Sequence, residues 1–282
     1  MAVQYPDPFL EVRVDLVELL NPLRALCAGY ENENWRSVQL ADHLFGWVPY
    51  VALMQEHQLS FASHNFVELL KLAAAHIYDT KKTETRGELG EILLHLACVL
   101  HFNCEPIVCK LVLKSASNDT VKGFDGVHVK LLPENFEIWL GESKFYKDPQ
   151  KAIRDAVSSV KEHILPHFLK SEKAMLFAHI GKDVPRRSEI ASLFRPSTSI
   201  DKLLAVSVFP IMIAYESKAV ASHGTICEQY VNMLQAEVEA LRVYFGEKAA
   251  QISLKFQLIL VPLESKDAVV ASFDDKLKPF LK

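Results

Sequence analysis

Two alternating runs separated by a short turn constrain the fold most. Val121–Leu131 and Phe136–Phe145 each alternate, and Pro133, Glu134 and Asn135 lie between them. Side chains of a strand point to opposite faces in turn, so each run presents one set of residues to one face. Antiparallel pairing centred between Pro133 and Glu134 sets Val129 opposite Ile138, Val127 opposite Leu140 and Asp125 opposite Glu142. The apolar pairs lie towards the turn. The two carboxylates sit at the open end of the same face, with Lys144 one step further out.

Facing carboxylates above apolar pairs repel each other, and a hard divalent cation is a natural neutraliser. Mg²⁺ or Mn²⁺ held by Asp125, Glu142 and a backbone carbonyl near Ser143 would bind a phosphate oxygen and acidify an attacking water. Lys144 would orient that water or stabilise developing negative charge. The plain alternative is a cross-strand pair at a solvated hairpin end, with Lys144 as counter-charge. The preceding segment bears on the choice. Leu89, Leu93, Leu96 and Leu100 form one stripe of a helix over residues 85–102. Glu88 and Glu91 project together beside that stripe, and His95 continues their line. A helix laying its leucines on the sheet could aim Glu88 or Glu91 at the hairpin carboxylates; otherwise they form a solvated acidic face.

Around this centre the pattern is α/β. Helices are expected over residues 38–56, with a kink at Pro49, and over 65–78, 149–169 and 225–245. Asp148 is the expected N-cap and Pro149 the first residue of the third. Residues 107–114, 203–214 and 252–261 read as further strands, and Asp79–Thr85 as a polar connection. The turn within the hairpin excludes a purely parallel sheet. No GxGxxG or GxxxxGK[ST] pattern supports a nucleotide-phosphate site. The expected division is a mainly helical N-terminal region, residues 1–80, before a catalytic domain, residues 81–282.

The formal net charge of −4 argues against a global nucleic-acid-binding field. Five cysteines without a CxxC pair suit a reducing compartment. The first residues lack a basic segment followed by an apolar run, and no apolar run reaches membrane-spanning length, so a cytoplasmic location is expected.

Other clusters carry less. His95, Cys98, His101 and Cys104 recur every three residues, but His95 to His101 spans roughly 9 Å of helix axis, too far for one zinc with bonds of about 2.1 Å. His128 falls on the face opposite Asp125 and reads as structural or surface. Cys109 has no evident activating base. Lys182, Arg186 and Arg187 could touch DNA phosphates or an acidic partner, or form a solvated loop.

The runs RGELGEILLHLAC, SNDTVKGFDGVHV and IWLGESKFYKD, in that order, resemble the core of the PD-(D/E)XK nuclease superfamily. In that core a helix carries Glu, one strand carries Asp and the next carries Glu-x-Lys. Glu91, Asp125, Glu142 and Lys144 match those places; Phe124 stands where the superfamily name has Pro. NDTVKGFD and WLGESKFY further resemble the HamA family, the nuclease component of Hachiman anti-phage defence. The resemblance covers residues 78–167 well. It implies a restriction-endonuclease-like fold, a Mg²⁺-dependent DNA nuclease, and a helicase partner of the HamB type that restrains it. A catalytically inactive scaffold subunit with the same fold, or an RNase, remains the alternative. The N-terminal region is expected to contribute to docking, with Trp35, Phe45 and Trp47 as candidate anchors, core packing being the expected role of at least two of them.

Overall fold

The computed structural model describes residues 3–78, 86–113, 123–182 and 184–281. The connection expected over Asp79–Thr85 and most of the NDTVKGFD motif fall outside these residues; Gly123, Phe124 and Asp125 fall within them.

A mixed sheet of seven strands forms the core. Its members are β1 (Glu11–Leu16) and β2 (Leu23–Cys27), then, after a small hairpin of β3 (Tyr30–Glu31) and β4 (Asn34–Trp35), β5 (Cys104–Cys109), β6 (Gly126–Leu131), β7 (Phe136–Phe145), β8 (Ser207–Glu216) and β9 (Lys255–Leu263). The order across the sheet is β1-β2-β9-β8-β7-β6-β5. β7, β8, β9 and β2 run parallel, whereas β5–β6–β7 and β1–β2 are antiparallel. Strand β8, buried along nearly its whole length, is an unbroken apolar run, as a central strand covered on both faces must be.

The β6–β7 hairpin has the expected register, with Val127 opposite Leu140 and Val129 opposite Ile138. Leu132 N–H closes the turn onto the Asn135 carbonyl. The expected strand bounds shift: β6 starts only at Gly126 and β9 only at Lys255. The run over 107–114 ends as strand at Cys109 and continues as a 3₁₀ turn over Lys110–Leu113. The run over 203–214 begins with a short helix, and strand starts only at Ser207.

Helices cover both faces. On one side lie α1 (Ser37–Ala52), followed by α2 (Gln55–Leu59) and α3 (Phe66–Tyr78), with α4 (Gly87–Phe102) against the sheet. The helix expected over 38–56 breaks at Leu53 and Met54, whose extended backbones separate α1 from α2. α4 packs closely on β7 because two positions lack a side chain. A Cβ on Gly141 would lie 2.7 Å from Leu94 Cδ2, and one on Gly90 would lie 3.1 Å from Ser143 Oγ.

On the other side α5 (Pro149–His163) packs on β7 and β8. Asp148 caps it as expected, accepting hydrogen bonds from Gln150 N–H and Lys151 N–H. The single helix expected over 149–169 is two. Pro166 lacks an N–H and forces Leu165 into an extended conformation, so α6 (Pro166–His179) starts afresh. α7 (Arg187–Phe194), α8 (Ile200–Ala205), α9 (Lys218–Ala221), α10 (Glu228–Ala249) and α11 (Lys266–Leu277) complete the chain.

The described part of residues 1–80 holds α1, α2 and α3, but it also supplies β1 and β2, and β2 pairs with β9. Two of the candidate anchors, Trp35 and Trp47, are buried in the core, and Phe45 packs against Phe273 and Phe280. Among the described residues no helix is long and apolar enough to cross a membrane.

Candidate active site

Alternation along β7 sorts its residues. Gly141, Ser143 and Phe145 face α4, as the close approaches of Leu94 and Gly90 show. Glu142 and Lys144 therefore face α5. Lys144 Nζ donates to Glu142 Oε1 and, at 3.3 Å, to Ser159 Oγ of α5. Glu142 Oε2 lies 3.6 Å from His163 Nδ1 and is buried without a hydrogen-bond partner.

Asp125 stands just before β6, where its N–H donates to the Gly141 carbonyl. Its carboxylate is heavily engaged. Oδ2 accepts from both the N–H and the hydroxyl of Ser143, and Oδ1 accepts from Lys110 Nζ at 3.0 Å. A backbone carbonyl near Ser143 is the expected further ligand; the Ser143 N–H and hydroxyl, for their part, both donate to Asp125.

The charges are strongly coupled. Burial and the neighbouring Asp125 charge push the Glu142 carboxyl up to about 7, against the pull of Lys144. Burial would raise Asp125 too, but Lys110, the Ser143 hydrogen bonds and Lys144 outweigh it and hold the carboxyl below its ordinary range. Lys110 is opposed by burial, yet attraction from Asp125, then Glu91, then Glu142 raises its pKa.

Sequence reasoning placed Asp125, Glu142 and Lys144 at one end of the hairpin, and the structure does the same. The two glutamates of α4 differ. Glu91 acts electrostatically on Lys110 and on Cys109, the last residue of β5. Glu88 is buried in the first turn of α4. Among the described residues no three His, Cys, Asp or Glu side chains gather as a ready-made metal-binding group. Asp125 is nearly buried, and Glu142 is buried with Oε2 lacking a hydrogen-bond partner; both offer the hard oxygen donors that such cations take.

Three neighbours went unnoticed in the sequence. Lys110 directly follows β5, at the start of the 3₁₀ turn. His163 stacks on Phe168 and meets Phe124 edge-on. Glu172 of α6 accepts the Phe124 N–H at 3.0 Å and fills the space beside Gly123, where a Cβ would lie 2.6 Å from its oxygens. No short motif announces the last two: His163 lies inside the helix expected over 149–169 and Glu172 lies beyond its end.

Cys109 does have a base beside it: His95 Nδ1 lies 3.0 Å from its sulfur, and His128 Nε2 lies 3.0 Å from the same nitrogen. Burial pushes the thiol up to about 12 and His95 down to about 4, so this group is core rather than nucleophile. Arg186 pairs with Glu189 and lies over Phe136, at the turn end of the hairpin, away from the carboxylates.

The sequence matches the HamA family over residues 4–277. The chain belongs to the HamA family. It is also 22% identical to Anti-bacteriophage protein A of Escherichia coli (strain K12), across 95% of this chain and 52% of that relative. The HamA chain thus spans about half the length of the curated relative it matches.

Proposed function

We propose that this HamA-family protein is a metal-dependent nuclease that hydrolyses phosphodiester bonds in DNA and serves anti-phage defence. The observation that carries the reading is the convergence of Asp125, Glu142 and Lys144 at one end of the β6–β7 hairpin, with Glu142 Oε2 buried and without a hydrogen-bond partner. The hairpin is preceded by α4 and followed by α5 and parallel β8, an order that supports a restriction-endonuclease-like core. The name of the Escherichia coli relative supports the defence role.

Asp125 and Glu142 would hold Mg²⁺, or Mn²⁺, with Glu91 of α4 near enough to add charge. The bound cation would supply Lewis acidity to a phosphate oxygen and to an attacking water. Ser143 keeps Asp125 ionised and oriented through two hydrogen bonds. Lys144, steered by Glu142 and Ser159, would place positive charge beside the reacting phosphate. The wall formed by His163, Phe124 and Phe168 limits water around Glu142. With a formal net charge of −4 the chain captures free DNA weakly, which favours delivery and restraint by a helicase partner of the HamB type.

A second reading, a non-catalytic subunit that keeps the fold, is favoured by one observation: both Asp125 oxygens already have protein donors. The purified chain, incubated with linear double- and single-stranded DNA and with RNA in Mg²⁺, separates the readings. Cleavage by the wild type and none by Asp125→Asn or Glu142→Gln is the expected result. Equal cleavage by all three proteins refutes the assigned site, and no cleavage by any, with or without the helicase, favours the scaffold.

A further inference from the structure

Lys110 has no place in the motif that identifies the site, yet it lies at its centre. Its backbone N–H donates to the Asp125 carbonyl and its ammonium to Asp125 Oδ1, so the same two residues are joined twice. Its side chain is four-fifths buried. Three further carboxylates act on it or feel its charge: Glu91 from α4, Glu142 from β7 and Glu172 from α6. A positive group in contact with one carboxylate and within the field of three others does what a bound cation would do: it relieves their mutual repulsion. Lys144 does the same for Glu142 from the other side. The two lysines and the pair Asp125 and Glu142 therefore balance in charge.

That balance has a consequence for a divalent cation. A cation approaching Asp125 meets an ammonium 3.0 Å from Oδ1, while Oδ2 is tied to Ser143. The two positive groups repel strongly at such separations in a partly buried site. We propose that Lys110 is the built-in counter-ion of this site and that Mg²⁺ or Mn²⁺ binds only by displacing its ammonium from Asp125. The inference rests on the metal-dependent reading given above. Lys110 thereby sets the concentration of divalent cation at which the site fills, a threshold built into the chain itself. Glu172, already within its electrostatic reach, is the carboxylate that would take up the displaced charge.

The test is binding of Mn²⁺ alone, measured by calorimetry on the full chain at pH 8, with Lys110→Met and Lys110→Arg beside the wild type. Loss of a like charge should tighten Mn²⁺ binding of Lys110→Met by about tenfold or more, and Lys110→Arg should stay near the wild type. Equal or weaker binding by Lys110→Met overturns the proposal. A second measurement needs no variant: the Lys110 ammonium signal, followed by nitrogen NMR as Mg²⁺ is added to the wild type, should shift or broaden as the site fills. A signal unmoved at saturating Mg²⁺ also overturns it. Failure of every protein to bind either cation defeats the metal-dependent reading itself, a result distinct from binding that ignores Lys110.

Discussion

Ser143 gives Asp125 two hydrogen bonds, from its N–H at 2.8 Å and its hydroxyl at 2.7 Å, and both end on the same carboxylate oxygen. Ser143→Ala keeps the first and removes the second. The expected cost is about 1 kcal/mol of stability, the net worth of one such bond, with weaker Mn²⁺ binding from a less well held Asp125. A thermal melt and a Mn²⁺ titration check this; if neither changes, the hydroxyl does not position Asp125.

Glu142 and Lys144 should separate by role. Glu142→Gln should abolish cleavage and leave a folded protein, because it removes one of two carboxylates that repel each other. Lys144→Ala should lower the cleavage rate by about 10²- to 10³-fold, the scale seen when a single transition-state donor is lost, while Mn²⁺ still binds. Loss of Mn²⁺ binding in Lys144→Ala would make that residue structural.

Burial raises the Glu172 carboxyl to about 7, against the opposing Phe124 hydrogen bond. A carboxyl whose folded pKa exceeds its unfolded value binds its proton more tightly in the native state. Its stabilising contribution is complete below the unfolded pKa and is lost as pH rises through the folded one. The melting temperature should therefore fall between pH 5 and pH 8, by the equivalent of about 3 kcal/mol at most from this group. Glu172→Gln keeps the acceptor for Phe124 N–H and should flatten that slope. Glu142, also raised to about 7, contributes over the same window, so the slope should fall in Glu172→Gln and vanish only with Glu142→Gln added; a slope unchanged by Glu172→Gln assigns the effect elsewhere.

Close packing of α4 on β7 depends on Gly141. Gly141→Ala would drive a methyl group into Leu94 and towards the Gly126 carbonyl, and should destabilise by about 1–3 kcal/mol. Leu94→Ala combined with it should cost less than the sum of the two single changes. Additive costs would mean that Leu94 is not what Gly141 accommodates.

The proposal that a helicase docks through residues 1–80 is better tested by point substitution than by deletion. Deletion would remove β1 and β2 from the sheet. Phe61, Phe66 and Leu72 are exposed on and before α3, and they replace the buried Trp35 and Trp47 as candidate anchors. Changing all three to Ser should abolish co-purification with the helicase and leave the melt unchanged. Undiminished co-purification would place the docking surface elsewhere.

The hairpin was legible because its two signals agreed. A turn fixed the register, and the register put like residues on one face. Strands β1 and β2 were not anticipated, although EVRVDL alternates strictly; a charged edge strand carries little apolar signal, and β2 is only five residues long. Of the site, Asp125, Glu142 and Lys144 lie within one supersecondary unit and so could be found from spacing. Lys110, His163 and Glu172 reach it from three separate elements. Their convergence is tertiary, and no local pattern encodes it.

The pairing of β2 with β9 joins Leu23 to Leu258. A chain emerging from the ribosome releases β2 long before β9 exists, so β1 and β2 must wait as an unpaired ribbon while the rest is synthesised. The β6–β7 hairpin can form early from neighbouring residues, but the far half of the sheet closes only after a loop of more than two hundred residues is brought together. The residues of the site should therefore assemble before the sheet is complete, and the final folding step of this protein should be the arrival of its last strand beside one of its first.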